Sequence, residues 1–420
     1  MHRNTLTAGL LLASGALGLS TSASAEFIKD SKASLELRNF YFNRDFRQDN
    51  APQNKAEEWA QGFLLRYESG FTEGSVGVGV DAIGLLGVKL DSSPDRAGSG
   101  LLKRDREAPK RAQDEYGELG LTAKLRASKS TLKLGTLLPK VPVLLANDSR
   151  LLPQTFKGGQ LNSLELDGLT FDAGHLRQVN QRDSSDYEDL SITTVGVKNI
   201  RARQATSDAF DFANLSYKWN DRLTTGYGFG RLDDFYRQHQ LTLNHLLPLG
   251  DGQSLKSDLR FARSSDEGGS NVDNQAFGAL FTYGIGGHAF GLGYQRMSGD
   301  TGFAYVNGSD AYLVNFVQIS DFANREERSW QARYDYNFAA VGIPGLTFMT
   351  RYLSGDDIEL GAGRSAGKEW ERDTDLAYVV QSGPLKNLGL KWRNATLRTT
   401  NFGSDLDENR LILSYTLPLW

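Results

Sequence analysis

The stretch AFGALFTYGIGGHAFGLGYQ, Ala276 to Gln295, decides the fold. Phe277, Ala279, Phe281 and Tyr283 alternate with Ala276, Gly278 and Thr282. After Gly284–Gly287 the rhythm resumes, with Phe290, Leu292 and Tyr294 against Gly291, Gly293 and Gln295. A period of two sends successive side chains to opposite faces of a strand, and a short glycine-rich break between two such runs reads as a hairpin. One face is bulky and apolar, the other small or polar. A membrane barrel has this pattern, with its apolar side to lipid and its polar side to a wet lumen.

The same rhythm recurs along the chain. Leu35, Leu37 and Tyr41 face away from Glu36, Arg38 and Phe40; Phe63, Leu65 and Tyr67 face away from Leu64, Arg66 and Glu68. Val76, Val78 and Val80 oppose Gly77, Gly79 and Asp81, and Trp330, Tyr334 and Tyr336 oppose Gln331, Arg333 and Asp335. Leu390 and Trp392 oppose Lys391 and Arg393, while Leu411, Leu413 and Tyr415 oppose Arg410 and Ser414. Connectors alternate between tight turns (127–129, 220–221, 284–287) and long polar segments (91–114, 181–189, 264–274, 300–310, 355–368, 399–407). Short turns at one rim and long loops at the other match the periplasmic and extracellular ends of an outer-membrane barrel. The pattern predicts about sixteen to eighteen strands in one domain, with Gln178–Asp208 the hardest span to divide.

Composition bounds the function. Arg3, the apolar run Leu10–Leu19 and Ala23-Ser24-Ala25 form a secretory leader, so residues 1–25 are a signal peptide and the barrel occupies 26–420. Export through the periplasm to the outer membrane of a Gram-negative bacterium follows. The 47 basic residues are outnumbered by 51 acidic ones, which argues against nucleic acid as a partner. There is no cysteine, hence neither a disulfide nor a thiolate metal site. No apolar run after the leader approaches the ~18 residues of a spanning helix. On composition alone a soluble barrel or sandwich competes; the 45 glycines and the bulky-out alternation favour the membrane.

An enzyme is not supported. The mature chain has His175, His239, His245 and His288, with no H-E-x-x-H or G-x-S-x-G. The spacing of His239 and His245 fits no metal motif. No cofactor is expected, and calcium at acid pairs such as Asp233-Asp234 or Asp356-Asp357 is the one metal reading left open.

One segment breaks the rhythm. LLPKVPVLLANDSRLLPQTFKGGQ, Leu137 to Gln160, carries Pro139, Pro142 and Pro153, which exclude a regular helix or inner strand. Val141, Val143, Leu144, Leu145, Leu151 and Leu152 are too many apolar groups for a loop left in water. Inside a wet-centred barrel such a loop, about residues 138–160, has one place to fold: into the lumen, with Arg150 towards a passing solute.

LELRNFYFNRDF (Leu35–Phe46), QGFLLRYESGFTEGSVGVGVDAIGLLGVKLD (Gln61–Asp91), SRLLPQTFKG (Ser149–Gly158), DFYRQH (Asp234–His239), SWQARYDYN (Ser329–Asn337), PGLTFMTRY (Pro344–Tyr352), YVVQSGP (Tyr378–Pro384) and ENRLILSY (Glu408–Tyr415) together resemble the OprD-type (porin D) family of substrate-specific outer-membrane porins. The likeness spans essentially the whole mature chain. It implies an all-β antiparallel transmembrane barrel of 18 strands with an inward constriction loop. It also implies passive diffusion of small carboxylate solutes along a basic ladder. By motif, that ladder falls on Arg38, Arg150, Lys391, Arg393, Arg398 and Arg410, faced by Tyr305, Asp310 and Asp321. Arg398 is out of phase with Lys391 and Arg393, so it faces inward only if a bulge intervenes near Ala395.

Aromatic monocarboxylates such as benzoate are the favoured solutes, with basic amino acids or small peptides as the alternative. An adhesion or structural barrel, or a hydrolase, are the readings from other classes. The expected partners are the solute and outer-membrane lipid, with the chain a monomer or weak homo-oligomer.

Overall fold

The computed structural model describes residues 27–49, 51–105 and 107–420; the expected leader lies outside them. Among the described residues, one sheet of 19 strands contains the barrel and a short added strand, Tyr187–Asp189. The barrel strands are β1 Lys32–Phe46, β2 Lys55–Glu68, β3 Val76–Asp91, β4 Glu115–Ala127, β5 Ser130–Leu137 and β6 Thr155–Ser163. They continue as β7 Leu169–Asn180, β8 Phe210–Asn220, β9 Leu223–Leu232, β10 Tyr236–Gly250, β11 Gln253–Asp266 and β12 Asp273–Ile285. The last six are β13 His288–Ser298, β14 Arg328–Asn337, β15 Leu346–Ile358, β16 Gly367–Val379, β17 Gly389–Thr400 and β18 Leu406–Pro418. Each pairs antiparallel with the next, and β18 closes on β1 from Ser34 opposite Pro418 to Phe46 opposite Leu406. Closure removes the sheet edge, which is what allows strands to cross hydrocarbon with every backbone group paired.

The outward faces carry the expected apolar belt. Leu119, Leu121, Phe277, Phe281, Phe290, Leu292 and Trp330 are all exposed, Leu292 to 68%. In water such a surface would drive association; in a bilayer it is the solvated side. At one rim the turns are minimal: Asp251 and Gly252 both have positive φ (49° and 73°), the left-handed pair that matches strand twist in a two-residue hairpin. The start of β1 and the end of β18 meet at this same rim, where the Leu419 amide donates to the Ala33 carbonyl at 2.8 Å.

At the other rim the polarity of the long connectors misleads. Segments 92–114, 181–209 and 299–327 fold into the mouth with the constriction loop. Leu101, Leu102, Leu190, Ile192, Phe303, Val306, Leu313 and Phe322 are all buried. The run 300–310, read as external and polar, pairs inward: Asp310 donates its amide to Leu145 at 2.9 Å, and Val306 bridges to Ile192.

The constriction loop spans the lumen. It is shorter than the expected 138–160, because Thr155 already begins β6, where Thr155 pairs with Asn180 and Leu161 with Ala173. At one end Leu151 and Leu152 pack with Phe40, Phe42, Leu64, Leu85 and Tyr116 of β1–β4. At the other, Val141, Val143 and Leu144 pack with Phe210, Phe212 and Leu232 of β8 and β9. Glycines make room at both docks. A side chain at Gly62 would begin 3.2 Å from Leu151, and one at Gly230 would begin 3.0 Å from Val143. Each fully buried side chain of this size contributes roughly 1.5–3 kcal/mol gross, so the loop is a strut fixed at both walls.

Candidate functional site

The strut brings its tip, Asp148–Arg150, against β1. Arg38 donates to Glu36 (2.9 Å), to Asp148 (2.7 Å) and to the Arg150 carbonyl (2.9 Å). It therefore lines the lumen and also ties down the loop. The Phe42 ring lies two residues farther along the inner face than Phe40, and three guanidinium carbons stand over it: Arg410 at 5.1 Å, Arg150 at 5.0 Å and Arg44 at 5.4 Å. Glu408 sits among them, accepting from Arg44 at 2.7 Å and Arg410 at 2.7 Å. Cations over a ring face gain about 0.5–2 kcal/mol each, and the shared carboxylate offsets their repulsion.

Strand register extends this cluster into a band around the wall. Arg410 is opposite Phe42 on one side and Arg393 on the other; Arg393 is opposite Asp375. Asp373, one inward step along β16, is opposite Arg351, which is opposite Arg333. Lys391 and Arg393 share Asp375 at 3.0 and 3.1 Å, Arg351 holds Asp373 at 2.7 Å, and Arg333 holds Asp335 at 2.7 Å. Each base has a carboxylate within reach and still offers further donors, since a guanidinium has five N–H groups. A solute carboxylate can therefore be held by one rung and passed to the next without leaving a bare charge behind.

The expected site residues divide accordingly. Arg38, Lys391 and Arg393 line the lumen. Arg410 belongs to the band but is only 1% exposed, covered by the Gln318 carbonyl of the 299–327 loop. Arg150 does not face open lumen. It is 6% exposed and donates to the carbonyls of Ser149 and Ser99, because segment 92–114 closes over it. Burial, with Arg410 and Arg182 nearby, lowers its pKa well below the usual guanidinium value.

Arg398 is on the outer face. The β16–β17 and β17–β18 pairings run through Ala395 without a bulge, so the phase never switches. Its guanidinium lies 6.0 Å from the Trp370 ring and binds Asp407 at 2.9 Å.

The facing groups divide too. Tyr305 and Asp321 are buried in the 299–327 loop, where Asp321 accepts from Tyr305 (2.9 Å) and Lys198 (2.7 Å). They hold that loop rather than a solute. Asp310 is half-buried, accepts from Asn147 of the strut and stands across from Arg182 and Arg150. Residues the sequence reading did not offer as site residues are Arg44, Arg182, Arg333, Asp148, Asp375 and Glu408. Arg44 shares the phase of Arg38 along β1 and could have been found; Arg182 lies in a polar connector and gave no signal.

Asp310 titrates in an accessible range. Burial pushes its carboxyl up to about 6, against the opposing pull of Arg182 and the Asn147 amide. A raised carboxyl pKa means the group is charged above that value and neutral below it. Anion preference in bilayer reversal potentials is therefore expected to rise as pH falls from 7 to 5. Asp310→Asn should hold the low-pH value throughout; a variant that keeps the wild-type pH step would assign the titration elsewhere.

No group of three or more metal-ligating side chains forms among the described residues. The chain matches the family model described as outer membrane porin, OprD family, over residues 25–419. It belongs to the OprD family. As an OprD-family porin it is a substrate-specific channel of the Gram-negative outer membrane and not an enzyme. The porin is 41% identical to the porin-like protein GalP of Pseudomonas putida over 413 residues, covering 96% of each chain. It is similar to the crystal structure of OpdQ from Pseudomonas aeruginosa, with 69% identity, a TM-score of 0.87, and coverage of 94% of this chain and 100% of the other. It is also similar to Pseudomonas aeruginosa OpdK, whose crystal structure was solved with vanillate. That likeness has 43% identity, a TM-score of 0.85, and coverage of 94% and 100%.

Proposed function

We propose that this porin admits small aromatic monocarboxylates, of the benzoate and vanillate type, by passive diffusion along the basic band. The observation that carries the reading is the shared Lys391–Arg393–Asp375 rung. Two cations there divide one carboxylate, and the Lys391 side chain is 41% exposed. Two bases against one acid leave a net positive point that a carboxylate can occupy weakly, and weak occupancy lets a channel both select and release. The complex of OpdK with vanillate, itself an aromatic monocarboxylate, supports the same class. No energy source is needed, because the lumen lies within one closed barrel and solutes move down their gradient.

A basic amino acid is the second reading. Asp148, 46% exposed at the strut tip, offers a carboxylate to an ammonium group beside Arg38. Liposomes carrying the purified porin decide between them. Labelled benzoate or vanillate should enter faster than labelled arginine at equal gradient. Faster arginine entry would overturn the assignment, and no bilayer conductance at all would remove the channel reading.

A further inference from the structure

The geometry points to a second carboxylate subsite at the periplasmic mouth, on the wall across from the basic band, built around Arg222 and Lys256. It rests on the proposed aromatic-acid reading and extends it to the exit of the channel. Arg222 lies in the β8–β9 turn, and Lys256 lies three residues into β11 from the Asp251-Gly252 turn. The register places Leu246 opposite Lys256, and Lys256 opposite Thr282, while the Leu246 amide donates to the Arg222 carbonyl at 2.8 Å. One step deeper, Thr224, Asn244, Asp258 and Leu280 stand in one cross-strand row. Together these two rows line a cavity of about 360 Å³.

The charge balance sets this cavity apart from the band. Along the band each base described above has a carboxylate partner. Here the two acids are already committed elsewhere, Asp221 to Lys218 at 2.6 Å and Asp258 to Arg260 at 2.6 Å. Among the described residues the Arg222 guanidinium and the Lys256 ammonium have no acid partner, and both residues are exposed. Thr224, Asn244 and Thr282, on the inward phase of their strands, add neutral hydrogen-bonding groups. Leu246 and Leu280 supply apolar surface between the two cations and the wall.

Two unpaired cations beside a leucine floor suit a carboxylate on an aromatic ring, with the charge at Arg222 and Lys256 and the ring over Leu246. Above the cavity, Arg260 stacks on Tyr312 of the 299–327 loop at 3.9 Å, so the subsite lies below that loop, on the periplasmic side. A solute leaving the band would meet it before bulk water, and a solute returning from the periplasm would meet it first.

The test is single-channel block by vanillate, added to one side at a time, in channels of defined orientation. One molar salt shortens the screening length to ~3 Å and removes general surface potential. Arg222→Gln/Lys256→Gln should weaken block from the periplasmic side at least fivefold. Block from the extracellular side and the open conductance should stay near the wild-type values. Unchanged periplasmic block in the double variant, with wild-type extracellular block present, would overturn the subsite and leave the band intact. Absence of vanillate block from either side of the wild-type channel would overturn the subsite together with the aromatic-acid reading.

Discussion

Arg393→Ala is expected to lower carboxylate flux about tenfold or more while leaving most of the open-channel conductance. A hydrogen bond to a charged group is worth about 1.5–3 kcal/mol, and about 1.4 kcal/mol is a factor of ten in affinity. Arg393 is only 19% exposed, so its charge is less screened than that of a surface side chain. In the variant, Lys391 alone faces Asp375, and the rung becomes neutral. A passing anion then reaches Arg351 past a Lys391 whose charge Asp375 cancels. Conductance of small ions depends on the remaining area and on the other bases, so it should fall far less. Asp375→Asn has the opposite sign: it frees both cations, deepens the well, and should lengthen each block. Arg398→Ala is the matched control, because its guanidinium lies outside the barrel wall, over Trp370. Single-channel recordings with vanillate read all three. Equal loss of flux and conductance in Arg393→Ala would mean that the band only sets the pore's width.

The contrast between Arg393 and Arg398 shows how far local pattern reaches. Period two assigns each strand residue to a face, and in β17 it placed Lys391 and Arg393 inward and left Arg398 needing a bulge that the register does not contain. Barrel type, the apolar belt, the turn-rich rim and the proline-broken strut follow from the same local rule. Burial inside the lumen does not. Arg150 was correctly located on the strut, yet its exposure is decided by Ser99, 51 residues away in sequence, whose carbonyl caps it.

Likewise 300–310 is polar enough to be external, but its backbone pairs with the strut and with Ile192. Asp321 had no visible partner until folding delivered Lys198, 123 residues upstream. Contacts of that range depend on how several connectors pack together, and no periodicity in any one of them encodes it. Strand faces were therefore legible, and the facing loops were legible only as segments.

Undocking the strut should have the largest effect on conductance. Val143 and Leu151 anchor its two ends, at 4% and 0% exposure, against Gly230 on one wall and Gly62 and Gly87 on the other. In Val143→Asp/Leu151→Asp each carboxylate would have to be buried without a partner or swing out into water. Losing two apolar side chains costs roughly 1.5–3 kcal/mol each, and the unpaired charges add to that. A shift of about 5 kcal/mol moves a docking equilibrium by more than a thousandfold, enough for the undocked loop to dominate. The barrel itself should survive, because its strands pair around the full circle without the loop. Single-channel conductance should rise several-fold and vanillate block should be lost, with Arg38 freed from Asp148 and Arg150 exposed to water. The restoring double variant Val143→Ile/Leu151→Met should conduct like the parent. If the doubly charged variant inserted as an intact barrel and kept the parental conductance, the strut would not be what narrows the channel.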